Sequence, residues 1–251
     1  MSPKFTAKTN SNSLKEPRCP ENISISMLSR DIYEKLRVLP DAQMTQLANH
    51  IISTQFLLDS NPRLAFEHAK FALSLAGQLD IVREMLGICA YRLGLYKLAL
   101  RELITARAFN NSNDFIPMII DCYRGLGQFK KAVEIAERMQ DEDFNDEIKT
   151  EFNIVMAAAK ADDGDYDGAI GILNRELRIK GLSTMERVRL FEAKSEVLDQ
   201  LGRKKEAQEL ENKVYPILDK LEKTYEESFI VYDLTDDDET DETDDVTEPR
   251  V

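Results

Sequence analysis

Long apolar runs are missing from this 251-residue chain. No stretch approaches the ~18 consecutive apolar residues of a membrane-spanning helix, so no membrane association is expected. Glycine and proline are sparse, at 10 and 8 residues, and no alternating Val/Ile/Thr runs occur, which argues against a loop-rich all-β fold. Histidine is nearly absent. His50 and His68 stand alone, neither with a second histidine or a cysteine at metal-ligand spacing, so no metal or cofactor is expected. The motifs HExxH, GxSxG and GxGxxG do not occur, and with no signature for hydrolytic, nucleophilic or nucleotide chemistry the expected protein is not an enzyme. The three cysteines are Cys19, Cys89 and Cys122. An odd count, with no apolar segment in MSPKFTAKTNSNSLKEPRCPEN to act as an export signal, fits a reducing compartment and a cytoplasmic location.

Charge is plentiful but unevenly placed. Residues 226–251 hold 12 Asp/Glu and one Arg, so they account for −11 of the net −13 and leave −2 for residues 1–225. A near-neutral body offers no field to attract nucleic acid, and direct nucleic-acid binding is not expected. The run DLTDDDETDETDDVTEP repels itself and buries too little apolar surface to fold alone. The organisation that follows is a disordered arm over 1–25, a helical domain over 26–225 containing a short helix at about 27–37, and an acidic disordered tail over 226–251.

An internal period is present. Gly94-Leu-Tyr96-Lys-Leu-Ala99, Gly127-Gln-Phe129-Lys-Lys-Ala132 and Gly164-Asp-Tyr166-Asp-Gly-Ala169 align without gaps. Degenerate copies flank them, with Ala65 after Ser60-Asn-Pro62 and Ala207 after Gly202-Arg-Lys204. Successive alanines lie 34, 33, 37 and 38 residues apart, the period of stacked helical hairpins. Between these marks, IVREMLGICAYRL, MIIDCYRGL, KLALRELITARAF and KKAVEIAERM carry apolar residues at helical spacing. Helix starts are legible at Asn61-Pro62, near Pro117, and at Ser183-x-x-Glu186, which has the form of a capping box. The glycines supply left-handed backbone for a short turn, and the acidic stretch 141–147 holds a longer connection. Cys89 and Cys122 are 33 residues apart, one repeat. Helices packed ~8–10 Å apart keep such a pair beyond disulfide reach, so both read as small core residues.

A small residue, an aromatic and an alanine at this spacing resemble the tetratricopeptide repeat (TPR). The alanine permits close helix approach, the aromatic fills the wedge between hairpins, and the glycine reverses the chain. Leu86-Gly87, Tyr123, Ala72 and Ala106 extend the likeness, which covers about residues 45–215. VREMLGICAYRLGLYKLALREL and IPMIIDCYRGLGQFKKAV are also similar to small actinobacterial TPR proteins without assigned activity. The resemblance implies an all-α, right-handed helical-repeat solenoid of about five hairpins. Its first helices would line a concave groove that takes a peptide or protein partner. Carried over by phase, the groove residues are His50, Thr54, Glu84, Ile88, Tyr91, Asp121, Arg124, Ile154 and Ala158. Glu84 and Asp121 stand where a clamp for chaperone C-terminal carboxylates would need basic or amide side chains, so a partner of mixed or basic character is expected.

Several other features have two readings. DDGDYDGAIGILN (162–174) opens like a calcium loop at Asp163, Asp165 and Asp167, but its twelfth position is Asn174 where a bidentate acid is required. The repeat phase instead starts a helix near Asp165. GLGQFKK (125–131) lacks phosphate-loop spacing and reads as a turn. The tail, with FIVYDL (229–234) before its acids, is a solubilising segment or a regulator that acts on a basic or nucleic-acid-binding partner. An enzyme accessory subunit is a further alternative to the leading reading, a non-enzymatic interaction scaffold. The oligomeric state is not legible in the sequence.

Overall fold

The computed structural model describes residues 14–235. Among them are eleven α-helices and no strand. After a 3-10 turn at Ile25–Met27, α1 (Arg30–Leu36) precedes five helix pairs. The pairs are α2 (Asp41–Leu57) with α3 (Pro62–Ala76), α4 (Asp80–Arg92) with α5 (Tyr96–Asn110), and α6 (Ile116–Gly125) with α7 (Phe129–Met139). Then come α8 (Asp146–Asp162) with α9 (Tyr166–Glu176), and α10 (Thr184–Gln200) with α11 (Lys204–Thr235).

The chain forms two compact units, residues 1–169 and 170–251. In the first, the helices of each leading hairpin pack on one another, and α3, α5 and α7 pack on the hairpin that follows. Leu36, Leu47, Ile51, Ala72, Val82 and Met85 form a buried core between α1, α2, α3 and α4. Ala65, Ala69, Leu86 and Cys89 form a second cluster under the first turn. In the second unit Leu198, Ala207 and Leu210 pack with Ile170 and Phe191.

The repeated residues occupy equivalent places. Gly94, Gly127, Gly164 and Gly202 all have positive φ, between 69° and 96°, the left-handed region that a side chain disfavours. The same long-range turn bond closes each reversal: Leu95 N–H to Ala90 O, Gln128 to Tyr123, Asp165 to Lys160 and Arg203 to Leu198, all at 2.8–2.9 Å. The first hairpin, which has Ser60 in place of glycine, turns differently. Its Asn61 N–H bonds Leu57 O at 2.8 Å, the Asn61 side chain caps Leu64 N–H, and Pro62 opens α3. Ala65, Ala99, Ala132, Ala169 and Ala207 are all buried. A Cβ on Gly125 would overlap the Tyr96 ring, which puts that repeat aromatic between its own hairpin and the next. Ser183 and Glu186 make the expected reciprocal box, at 3.2 and 2.7 Å.

One expectation is corrected, and the described residues extend the ordered part at both ends. The longer repeat spacing before Ala169 is absorbed by a 17-residue α8, against 10 residues for α6, rather than by the 141–147 connection. Residues 14–25, within the arm expected to be disordered, lie against α2, where Glu16 reaches both Gln46 and His50. The last helix runs to Thr235, through Pro216, so residues 226–235, FIVYDL among them, continue it. Lys-, Glu- and Leu-rich helix preceding that segment propagates into it against its local β-propensity. Residues 1–13 of the arm and 236–251 of the tail lie outside the described residues.

Candidate functional site

The first helices of the middle hairpins carry a row of partly exposed side chains. Glu84, Ile88 and Tyr91 stand on α4, Asp121 and Arg124 on α6, and Ile154 and Ala158 on α8, all partly exposed. Their polar groups are bonded from one hairpin to the next. The Tyr91 hydroxyl donates to Asp121 Oδ2 at 2.7 Å. Arg124 donates through Nη1 to Asp121 Oδ1 at 2.6 Å and through Nε to Asp162 Oδ2 at 2.7 Å. Burial opposes the Arg124 charge, but Asp162 and Asp121 outweigh it and raise its pKa. Burial and the Asp121 carboxylate push the Tyr91 phenol up, so it stays protonated and donates to that carboxylate.

A second polar group lies nearer the N-terminus. Asn110 Nδ2 donates to Glu84 Oε1 at 2.5 Å and to Asp80 Oδ2 at 3.2 Å, and Lys35 Nζ lies 2.6 Å from Asp80. Burial, and then the neighbouring Asp80 charge, raise the Glu84 pKa. Within these two bonded groups four carboxylates stand against two cations, so the groups are acidic on balance while each charge keeps a partner.

Two residues assigned to the groove do not lie on an open surface. His50 is 0% and Thr54 2% exposed, and the Thr54 hydroxyl bonds back to His50 O at 2.8 Å. The repeat phase fails here because the first hairpin lacks the glycine turn, and because the arm and α1 cover α2.

His50 instead meets His68. Their Nδ1 atoms are 2.8 Å apart and their ring centroids 5.1 Å, with the Phe71 ring 4.6 Å from that of His50 and tilted by 53°. Cys19 Sγ, from the arm, lies 3.9 Å from His50 Nδ1, and one ligand atom from each of the three falls within 4.8 Å of the others. His50 Nε2 lies 3.2 Å from Glu16 Oε1, and Glu16 also accepts from Gln46 Nε2 at 3.0 Å. Hydrogen bonds from Gln46 and then His50 hold the Glu16 carboxyl below its ordinary value. Both imidazoles are fully buried, and burial lowers the pKa of each, of His68 to about 4. His68 Nε2 is buried without a hydrogen-bond partner.

Sequence spacing did not reveal this cluster, but hairpin geometry holds a signal for half of it. His50 and His68 are equidistant in sequence from Asp59 in the α2–α3 turn, which brings them level across antiparallel helices. Nothing local in the sequence brings Cys19 to them.

The calcium-like stretch is divided between other tasks. Asp162 pairs with Arg124, and Asp165 Oδ1 caps α9 by accepting from Gly168 N–H at 2.9 Å. Residues 166–174 are helical, so they cannot wrap an ion as a calcium loop does. Cys89 and Cys122 are free and buried, and desolvation pushes both thiols up to about 12. In the second unit a cavity of about 190 Å³ opens beside Phe191, Val214, Tyr215 and Leu218. It contains none of the candidate residues. No helix among the described residues is long and apolar enough to cross a membrane.

No family model and no curated protein matches the sequence. Solved structures do resemble the fold. A kinesin light chain-like protein of nearly identical TPR-like repeats from Podosopora anserina aligns with a TM-score of 0.51, at 17% identity, over 74% of this chain and 97% of that one. A singly substituted form of that protein aligns with a TM-score of 0.54, at 17% identity, over 76% and 98%. The fold is therefore that of TPR-like repeats, as the glycine–aromatic–alanine period implied. The likeness to actinobacterial proteins receives no support from these alignments.

Proposed function

We propose that the chain is a non-enzymatic interaction scaffold that takes an extended peptide or protein segment along the first helices of its middle hairpins. The observation that carries this reading is the row Glu84, Ile88, Tyr91, Asp121, Arg124, Ile154 and Ala158. Apolar and charged side chains share that row along successive first helices, each retaining some exposure. Stacked hairpins bury their cores between neighbours and leave such faces available to a partner. Fold alone does not determine function, so the partner's character is argued from the charges. Asp80, Glu84, Asp121 and Asp162 outnumber Lys35 and Arg124, which favours a segment carrying lysine or arginine between apolar residues.

The test is affinity capture from the native cell with three chains in parallel: the natural one, Glu84→Lys with Asp121→Lys, and a chain ending at residue 225. Circular dichroism establishes that each chain keeps its helix content. Charge reversal should abolish capture that tail removal leaves intact. Capture that survives reversal but disappears with the tail would replace this reading with one centred on the acidic C-terminal segment.

A further inference from the structure

The geometry points to a thiolate–imidazole site for a first-row divalent metal ion, with Zn²⁺ as the matching ion, built from Cys19, His50 and His68 with Glu16 as the carboxylate that orients His50.

The spacing fits. Zinc bonds of ~2.0–2.1 Å to nitrogen and ~2.3 Å to sulfur place tetrahedral ligands ~3.3 Å apart for two nitrogens and ~3.6 Å for nitrogen and sulfur. The observed Nδ1–Nδ1 and Sγ–Nδ1 separations of 2.8 and 3.9 Å straddle those values. The third pair, Cys19 Sγ and His68, lies within 4.8 Å, so seating an ion between the three atoms takes a shift of up to about an ångström, largest at Cys19. Cys19 lies on the arm outside any helix, so it can make that adjustment without moving a packed element.

The surrounding groups also fit a metal better than a simple histidine pair. Metal-bound histidines commonly donate their other ring N–H to a carboxylate, which sets the tautomer and the ring orientation. His50 Nε2 faces Glu16, and Glu16 is itself held by Gln46. That arrangement directs the His50 Nδ1 lone pair toward Cys19 and His68. Without an ion, a neutral His50 that donates Nε2–H to Glu16 accepts at Nδ1 from His68 Nδ1–H, which leaves His68 Nε2 with no proton to give to the nearby Arg18 backbone. With an ion, both Nδ1 lone pairs bind it and the His68 ring proton moves to Nε2. The Cys19 thiol proton passes to solvent; no oxidation or reduction is involved. Three protein ligands leave a fourth tetrahedral position, on the side where Glu16 and Cys19 are partly exposed. One thiolate with two imidazoles is a donor set for zinc or copper rather than for calcium or magnesium.

The experiment titrates the full chain, reduced and chelator-treated, with Co²⁺ as a spectroscopic probe and then displaces it with Zn²⁺. One equivalent of Co²⁺ should give tetrahedral visible bands and a sulfur-to-cobalt charge-transfer band, both removed by Zn²⁺. Cys19→Ser, a change outside the helices, should lose the charge-transfer band and bind more weakly with unchanged helix content. Glu16→Gln should keep the band but weaken binding about 10- to 100-fold. Absence of the charge-transfer band in the natural chain, or its persistence in Cys19→Ser, would overturn the assignment. So would binding that appears only without a thiolate signature, as expected of the acidic C-terminal segment.

Discussion

Gly87 on α4 lies directly beneath Leu103 on α5: a Cβ at position 87 would come within 2.6 Å of Leu103 Cγ and Cδ2 and 3.4 Å of its backbone nitrogen. Leu103 is fully buried and has nowhere to retreat. Alanine is a better helix former than glycine by ~1 kcal/mol, yet Gly87→Ala should be destabilising, by about 1–3 kcal/mol, because the overlap outweighs that gain. In a Leu103→Ala background the same substitution should become neutral or favourable. Urea midpoints for the two single changes and the double change test the coupling.

The turn glycines predict a contrast. Gly127 has φ of 69°, whereas Gly171 sits within α9 with nothing within 4 Å of an added Cβ. Gly127→Ala should cost about 1–2 kcal/mol from left-handed strain, and Gly171→Ala should stabilise by about 0.5–1 kcal/mol. Equal shifts in thermal midpoint for the two variants would contradict this account.

Arg124 ties α6 to Asp162 on α8 and is itself largely covered, at 20% side-chain exposure. Arg124→Met leaves Asp121 and Asp162 without their shared cation and should cost about 1–3 kcal/mol. Adding Asp162→Asn should recover part of that loss, since one uncompensated charge is removed. Denaturation midpoints of the single and double variants decide between this and a pair that contributes nothing.

Glu84 gives a pH dependence of definite sign. Its folded-state pKa is raised above the ordinary 4.5, so the folded chain holds this proton more tightly than the unfolded one. The associated stability is fully present below the ordinary value and is lost as pH rises through the folded value. Glu84→Gln should therefore raise the thermal midpoint at pH 7, by a gain within about 1 kcal/mol. Below pH 4.5 the difference should vanish, which melts across this range would reveal.

The thiols should separate by accessibility. Cys89 and Cys122 are buried with pKa values pushed up to about 12, while Cys19 is half-buried on the arm. An aromatic disulfide reagent at pH 8 should titrate one thiol in the native chain and three in guanidinium. Fast reaction of all three in the native chain would show that the helix interfaces open readily.

How much of this could be read in advance varies along the chain. Gly94, Gly127, Gly164 and Gly202 could be recognised because a tight reversal restricts backbone geometry, and only glycine enters that region cheaply. Ala65 to Ala207 could be recognised because close helix approach limits side-chain volume at a regular interval. The partly exposed positions on α4, α6 and α8 followed by counting from those marks. His50 and Thr54 share the phase of those positions but not their exposure, because the first turn, built on Ser60 and Asn61, does not share the others' geometry.

Local chemistry and period were thus sufficient to determine the all-helical hairpins, their turns and the small residues between them. Tertiary structure alone decided that Arg124 pairs with Asp162 rather than only with a neighbour on its own helix. It also decided that an arm residue, Cys19, meets two buried histidines. Those contacts depend on how far apart stacked elements settle and on which segment covers the end hairpin. Such distances are products of packing across many residues and leave no periodic trace in the sequence.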